Sequence, residues 1–130
     1  MREADRQKIQ VIDGAVQGLD MPIVEGPGNA KAVIWPGSGA LHRSLHVVTL
    51  GKGARTIALS HPSDSVYYVM GGAGTIVDMT SGHVSDLSEG SMVHIDAGDT
   101  YQFVAATSDM KILGGPCPAD PRLYENLRKE

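Results

Sequence analysis

Leu59-Ser60-His61-Pro62-Ser63-Asp64-Ser65-Val66-Tyr67-Tyr68-Val69-Met70-Gly71-Gly72-Ala73-Gly74 is the centre of a longer stretch, Gly53 to Ala105, in which short β-rich runs rise between clusters of Gly, Ser and Pro. A single histidine, His61, stands where one run ends. Proline cannot donate to a strand ladder, and the Gly and Ser clusters favour turns, so each cluster marks a strand boundary.

Outward from this centre the pattern continues. Towards the C-terminus, Val66–Met70 and Gly74–Met79 read as two strands separated by Gly71-Gly72. His83–Leu87, Ser91–Ile95, Tyr101–Ala106 and Lys111–Leu113 follow, each bounded by a turn cluster. Towards the N-terminus, Arg55–Leu59, Ser44–Leu50 and Lys31–Trp35 read as strands, the last stopped by Pro36-Gly37-Ser38-Gly39. The Gly and Pro density between Gly18 and Asn29 forbids a long element, and Lys8–Ile12 with the Asp13-Gly14 turn reads as a first strand. Turns at intervals of about 8 to 12 residues, with no helical crossovers, predict an all-β sandwich or barrel. The helical signal lies at 119–130, where Asp120 can cap and Pro121 suits the first helical position. Leu123, Tyr124 and Leu127 there share a face.

The 130 residues predict one domain, with a core at 44–113 and a frayed segment at 1–7. A formal charge of -4 with no basic block excludes a nucleic-acid footprint. No apolar run approaches the length of a membrane span. The lone Cys117 and the absence of a charged-then-apolar leader predict a cytoplasmic protein.

Gly53, Leu59, His61, Ser65 and Gly72 are separated by five, one, three and six residues, and this spacing resembles the first motif of the cupins. Gly90, Asp96, Gly98, Tyr101 and Ala105, separated by five, one, two and three, resemble the second. The resemblance implies a small jelly-roll β-barrel and pairing as a homodimer, a pairing that would also cover open sheet edges. It further implies that Leu59, His61, Ser65 and Tyr101 occupy the positions at which cupins usually hold a divalent metal with three histidines and a glutamate. One of those four ligands survives. Leucine donates nothing and serine is a poor ligand, so no metal and no other cofactor is expected. A rebuilt metal site would have to recruit His46 or His94.

Strand alternation in step with the motif positions places Ile57, Leu59, His61, Ser65, Tyr67, Val69, Tyr101, Phe103 and Ala105 inside. Such an apolar, aromatic lining suits a small organic ligand. His46 joins it in one of two registers of its strand, and Arg55 and Arg43 stand near strand ends where they could hold an anionic group. His61 facing Tyr101 suggests metal-free acid–base chemistry, with Asp64 as a residue that could orient the ring. Metal-free cupins that resemble this arrangement include epimerases and dehydratases. Three readings follow: a metal-independent lyase or isomerase with His61 as base and Tyr101 as acid; a non-catalytic cupin that holds a small metabolite; and a metal-dependent enzyme with a relocated site.

Overall fold

The structure is a computed structural model that describes residues 9–125. Ten strands join one curled sheet. They are β1 (Leu19–Asp20), β2 (Val24–Glu25), β3 (Gly28–Ile34), β4 (Leu45–Leu50), β5 (Ala54–Thr56), β6 (Ser65–Asp78), β7 (Val84–Ser88), β8 (Met92–Ile95), β9 (Tyr101–Ala105) and β10 (Met110–Pro116). Every pairing among them is antiparallel, as the absence of crossover helices predicted.

The organising element is β6. The sequence predicts two strands interrupted at Gly71-Gly72, yet Ser65–Asp78 is one strand of 14 residues. Its first half pairs with β8 and β10, and its second half pairs with β7 and β9. Gly72 is the corner between them. Its φ is +77°, and a Cβ there would lie 1.9 Å from the Asp109 carbonyl oxygen, so only glycine lets the chain bend against β10. The glycine pair therefore turns the strand from one layer into the other without ending it.

Between the layers, alternate side chains meet in one core. His46, Val48 and Leu50 of β4 point inward, which settles the register that the sequence left open. Ser65, Tyr67 and Val69 of β6 and Tyr101, Phe103 and Ala105 of β9 also point inward, and Met110 and Ile112 of β10 close the interior. Burying side chains such as Leu50 and Ile112 contributes about 1.5 to 3 kcal/mol each.

Three expectations are corrected. Residues 9–12 form no strand, and Ile9 and Val11 are almost fully exposed, because no neighbouring edge takes up their backbone groups; Lys8 lies outside the described residues. Ile57 does not face the core, since β5 ends at Thr56 and the alternation slips before Leu59 rejoins the sheet through its bridge to Tyr101. The C-terminal helix is, within the described residues, only a 3-10 turn, Pro121–Tyr124. Asp120 does cap it, accepting from the Arg122 backbone N–H at 3.0 Å. Inward bonds from Asp120 and Tyr124 tie down both ends of this turn. No helix among the described residues is long and apolar enough to cross a membrane.

Candidate active site

His61 follows the Leu59 bridge, and Tyr101 opens β9 directly opposite it. The His61 Nε2 lies 2.9 Å from the Tyr101 Oη, and the Tyr101 Oη lies 2.7 Å from the Tyr67 Oη. On the far side of the ring, His61 Nδ1 lies 2.7 Å from Asp120 Oδ2. Four side chains from three strand regions and the C-terminal segment thus form one chain of hydrogen bonds. Each of the four is buried, His61 to 4% exposure and Asp120 to 2%.

The direction of these bonds follows from the charge states. Burial alone would raise the Asp120 carboxyl, but bonds from Arg122 and His61 outweigh it and hold the group at about 2. An ionised carboxylate only accepts, so His61 Nδ1 carries the hydrogen and donates. Burial lowers the His61 pKa against the opposing pull of Asp120, so the ring is neutral at pH 7 and its Nε2 accepts from the Tyr101 hydroxyl. Tyr67 then donates to the Tyr101 oxygen. Burial raises the Tyr101 phenol to about 12 while the Tyr67 bond works in the opposite direction, favouring the phenolate.

Asp120 is held in turn by Arg122, whose Nε donates to Oδ1 at 3.1 Å and whose terminal nitrogen donates to Oδ2 at 2.9 Å and to the Ser60 carbonyl at 2.7 Å. Tyr124, four residues beyond Asp120, has its hydroxyl 2.6 Å from His46 Nε2. The segment after β10 is therefore a strap across the interior, fastened at both buried histidines. The sequence pointed to the segment and to its cap, but not to its part in the site.

The other expected residues divide into two groups. Leu59, Ser65, Tyr67, Phe103 and His46 lie inside, next to the bonded chain or in the core around it. Arg55, Ile57 and His94 do not. Arg55 pairs with Glu25 at 3.0 Å on the surface, both more than half exposed, and Ile57 is 37% exposed. His94 is on the outer side of β8, between Asp64 and Asp96, each 3.6 Å away. Asp64 accepts from the Ala97 N–H and does not reach His61, so Asp120 has the orienting position instead.

The usual cupin metal does not fit this interior. Leu59 supplies no donor, both nitrogens of His61 are bonded, and the Tyr101 phenol is held near 12, far from ready deprotonation. The trio Asp64, His94 and Asp96 brings one donor atom from each residue within 4.8 Å of the others, but it lies exposed on the surface and not in this interior.

A groove of about 220 Å³ is lined by residues in and next to β6, β7, β8 and the start of β9. Tyr101 and Ile95 form its buried floor, Ile76 and Val93 its half-buried walls, and His83, Ser85, His94 and Asp99 its exposed rim. The Ser65 hydroxyl, buried to 1%, lies close enough to Tyr101 to influence the phenol, yet it has no partner of acceptable hydrogen-bond geometry.

No protein-family model matches the sequence, and no curated protein resembles it in sequence. In structure the chain is similar to the polyketide cyclase RemF from Streptomyces resistomycificus, with a TM-score of 0.73 at 16% identity over 88% of this chain and 82% of that one. It is also similar to a cupin-like protein from Thermotoga maritima, with a TM-score of 0.69 at 19% identity over 85% and 84%. An RmlC-like cupin from Shewanella frigidimarina matches with a TM-score of 0.66 at 18% identity over 87% and 95%. The chain has a cupin-type fold.

Proposed function

We propose that this cupin is a metal-independent lyase or isomerase of the dehydratase or epimerase type, acting on a small molecule. The observation that carries the reading is the bonded series Asp120–His61–Tyr101–Tyr67 with Tyr101 at the floor of a groove. Among the similar structures, the polyketide cyclase is a cupin-fold protein with small-molecule chemistry, which supports the general class.

The geometry revises the roles expected from sequence. A base and an acid acting across a substrate need space between them, whereas His61 and Tyr101 touch. They work in series. The Tyr101 oxygen takes a proton from an activated carbon of the substrate while its own proton moves to His61 Nε2. The resulting imidazolium is stabilised by Asp120, and the phenol oxygen by the hydrogen bond from Tyr67. The reverse transfer returns a proton to a neighbouring carbon, giving isomerisation, or to a departing hydroxyl, giving elimination of water. Removal and return then occur on one face of the substrate, which suits a proton shift or elimination; inversion of a centre, the epimerase case, requires the planar intermediate to turn its other face to Tyr101 before the proton returns.

Deuterium incorporation tests this reading. Small hydroxyketones incubated in D2O should exchange an α-proton with wild-type protein, and His61→Ala and Tyr101→Phe should each lower the rate about 100-fold or more. Full exchange by a folded His61→Ala variant would remove His61 from the mechanism.

The tight burial of the bonded chain favours a second reading, a cupin that holds a small metabolite without turning it over. Binding at the groove without exchange in any substrate would select it. Pairing as a homodimer belongs to both readings: Val66, Tyr68, Met70 and Met92 present an apolar outer face on β6 and β8.

A further inference from the structure

One buried titratable group has no part in the proposed reaction. His46 is 2% exposed, and its Nε2 lies 2.6 Å from the Tyr124 hydroxyl. The Tyr124 ring stands edge-on to the His46 ring and packs on Trp35, with ring centroids 4.7 Å apart. Ser44, buried to the same degree, places its hydroxyl within reach of the Tyr124 oxygen. An aromatic wall, an imidazole and a hydroxyl thus surround one phenol ring, and that ring belongs to the strap.

The strap is held unequally at its two ends. Asp120 accepts from the backbone and the guanidinium of Arg122, whose side chain is fixed in turn on the Ser60 carbonyl. Tyr124 ends a single 3-10 turn, closed by the bond from the Leu123 N–H to the Asp120 carbonyl, and its side chain is held by the His46 bond and the Trp35 contact. A change of the Tyr124 rotamer therefore frees its place and leaves Asp120 on His61. There is room for the movement. Trp35, Leu41, Pro118, Pro121 and Tyr124 itself line a cleft of about 330 Å³, which shares no lining residue with the groove at Tyr101.

The chemistry of the slot restricts what can enter. No charged side chain lines the cleft among the described residues. Burial raises the Tyr124 phenol to about 12, and the Asp120 carboxylate acts in the same direction, so negative charge in this place is opposed. A cation finds no free carboxylate, since Asp120 is taken by His61 and Arg122. A hydroxyl both donates and accepts, so it suits either tautomer of His46, whereas a ring without one leaves a buried imidazole unpaired.

We propose that Tyr124 is a gate, and that the slot it fills between Trp35 and His46 binds an uncharged hydroxylated ring when the side chain turns out. The site stands independently of the acid–base chemistry at Tyr101.

Phenol, toluene and benzoate share one ring and differ in the group it carries. Each is titrated at pH 7 into full-length 15N-labelled wild-type protein. The signals followed are the amides of Ser44, His46 and Tyr124 and the indole N–H of Trp35, the one tryptophan of the chain. Phenol should shift them saturably, with an affinity at least about tenfold above that of toluene or benzoate. Tyr124→Phe keeps the ring but gives up the bond to His46, so phenol should bind this variant severalfold more tightly. Unchanged affinity there would mean that phenol enters without displacing Tyr124, which overturns the gate. Failure of phenol to saturate the wild type at tens of millimolar would make Tyr124 a fixed core residue and overturn the gate as well, even if Tyr124→Ala, with a void in place of the ring, took phenol up. Equal binding of toluene or benzoate would overturn the ligand class. Shifts confined to groove amides such as those of Val93 and Thr100 would overturn the slot as the site. Deuterium exchange at Tyr101 tests the acid–base reading separately from all of these.

Discussion

Asp120 Oδ2 lies 2.7 Å from His61 Nδ1, a bond between residues 59 positions apart in the chain. It fixes which nitrogen of the ring carries the hydrogen, and through that nitrogen it fixes the donor and acceptor order as far as Tyr67. Removing the charge at this point is the most direct test of the order. Asp120→Asn should leave the fold in place and lower proton exchange about 100-fold, because an amide can bond either nitrogen of a neighbouring ring and no longer stabilises an imidazolium. Exchange rates and their pH profile check this, and a profile unchanged from wild type would reduce Asp120 to a purely structural residue.

Tyr67 acts one step further from His61. Its hydroxyl favours the phenolate of Tyr101, so Tyr67→Phe should raise the Tyr101 pKa beyond its already high value and slow exchange about tenfold. The variant also leaves the Tyr101 oxygen with one fewer bond in the interior. The loss in stability, read from urea unfolding, should be about 1 kcal/mol.

His46 makes stability depend on pH. Burial, with a smaller contribution from His61, lowers its pKa from 6.5 to about 4. In the unfolded chain it protonates as the pH falls through 6.5, while in the folded protein it stays neutral to about 4. The unfolded state therefore binds more protons across that window, and stability falls as the pH is lowered, by about 3 kcal/mol in full. The groups facing His46 are the hydroxyl of Tyr124 and His61, which is itself lowered by burial and adds in the same direction. Asp120 works below this window, since its carboxylate contributes stability above its usual 3.8 that is lost as the pH falls towards 2. Urea midpoints at pH 7 and pH 5 measure the effect of the histidines, and His46→Gln should reduce the difference between them.

Gly72→Ala tests the corner in β6. A Cβ would meet the Asp109 carbonyl oxygen at 1.9 Å, at a φ of +77° that L-residues disfavour. The substitution should destabilise by more than about 2 kcal/mol, with both halves of the strand affected. Thermal unfolding provides the readout.

Val66 and Met92 lie on neighbouring strands and are more than half exposed. If a second copy covers this face, the chain should sediment as a dimer at micromolar concentration and Met92→Glu should shift it to a monomer. Sedimentation as a monomer at high concentration would remove the homodimer from the proposal.

What the sequence determined by itself was the strand class and most strand positions, because proline, glycine and side-chain alternation act over a few residues. Tyr67, Tyr101 and Phe103 were expected inside by alternation in step with the motif positions, and they are buried. Local rules failed where the backbone changed direction without ending. At Gly71-Gly72 a bend and a break have the same composition, and after Thr56 the alternation lost its phase, which sent Ile57 outward. The site needed more than local rules. His61 and Tyr101 were legible as a pair, but only the folded chain places their atoms 2.9 Å apart, in series rather than across a cavity. Asp120 looked like a helix cap, and it is one, since its side chain accepts from the Arg122 backbone. Its second role depends on β10 delivering the strap over the interior, a long-range packing outcome that no spacing within the chain encodes.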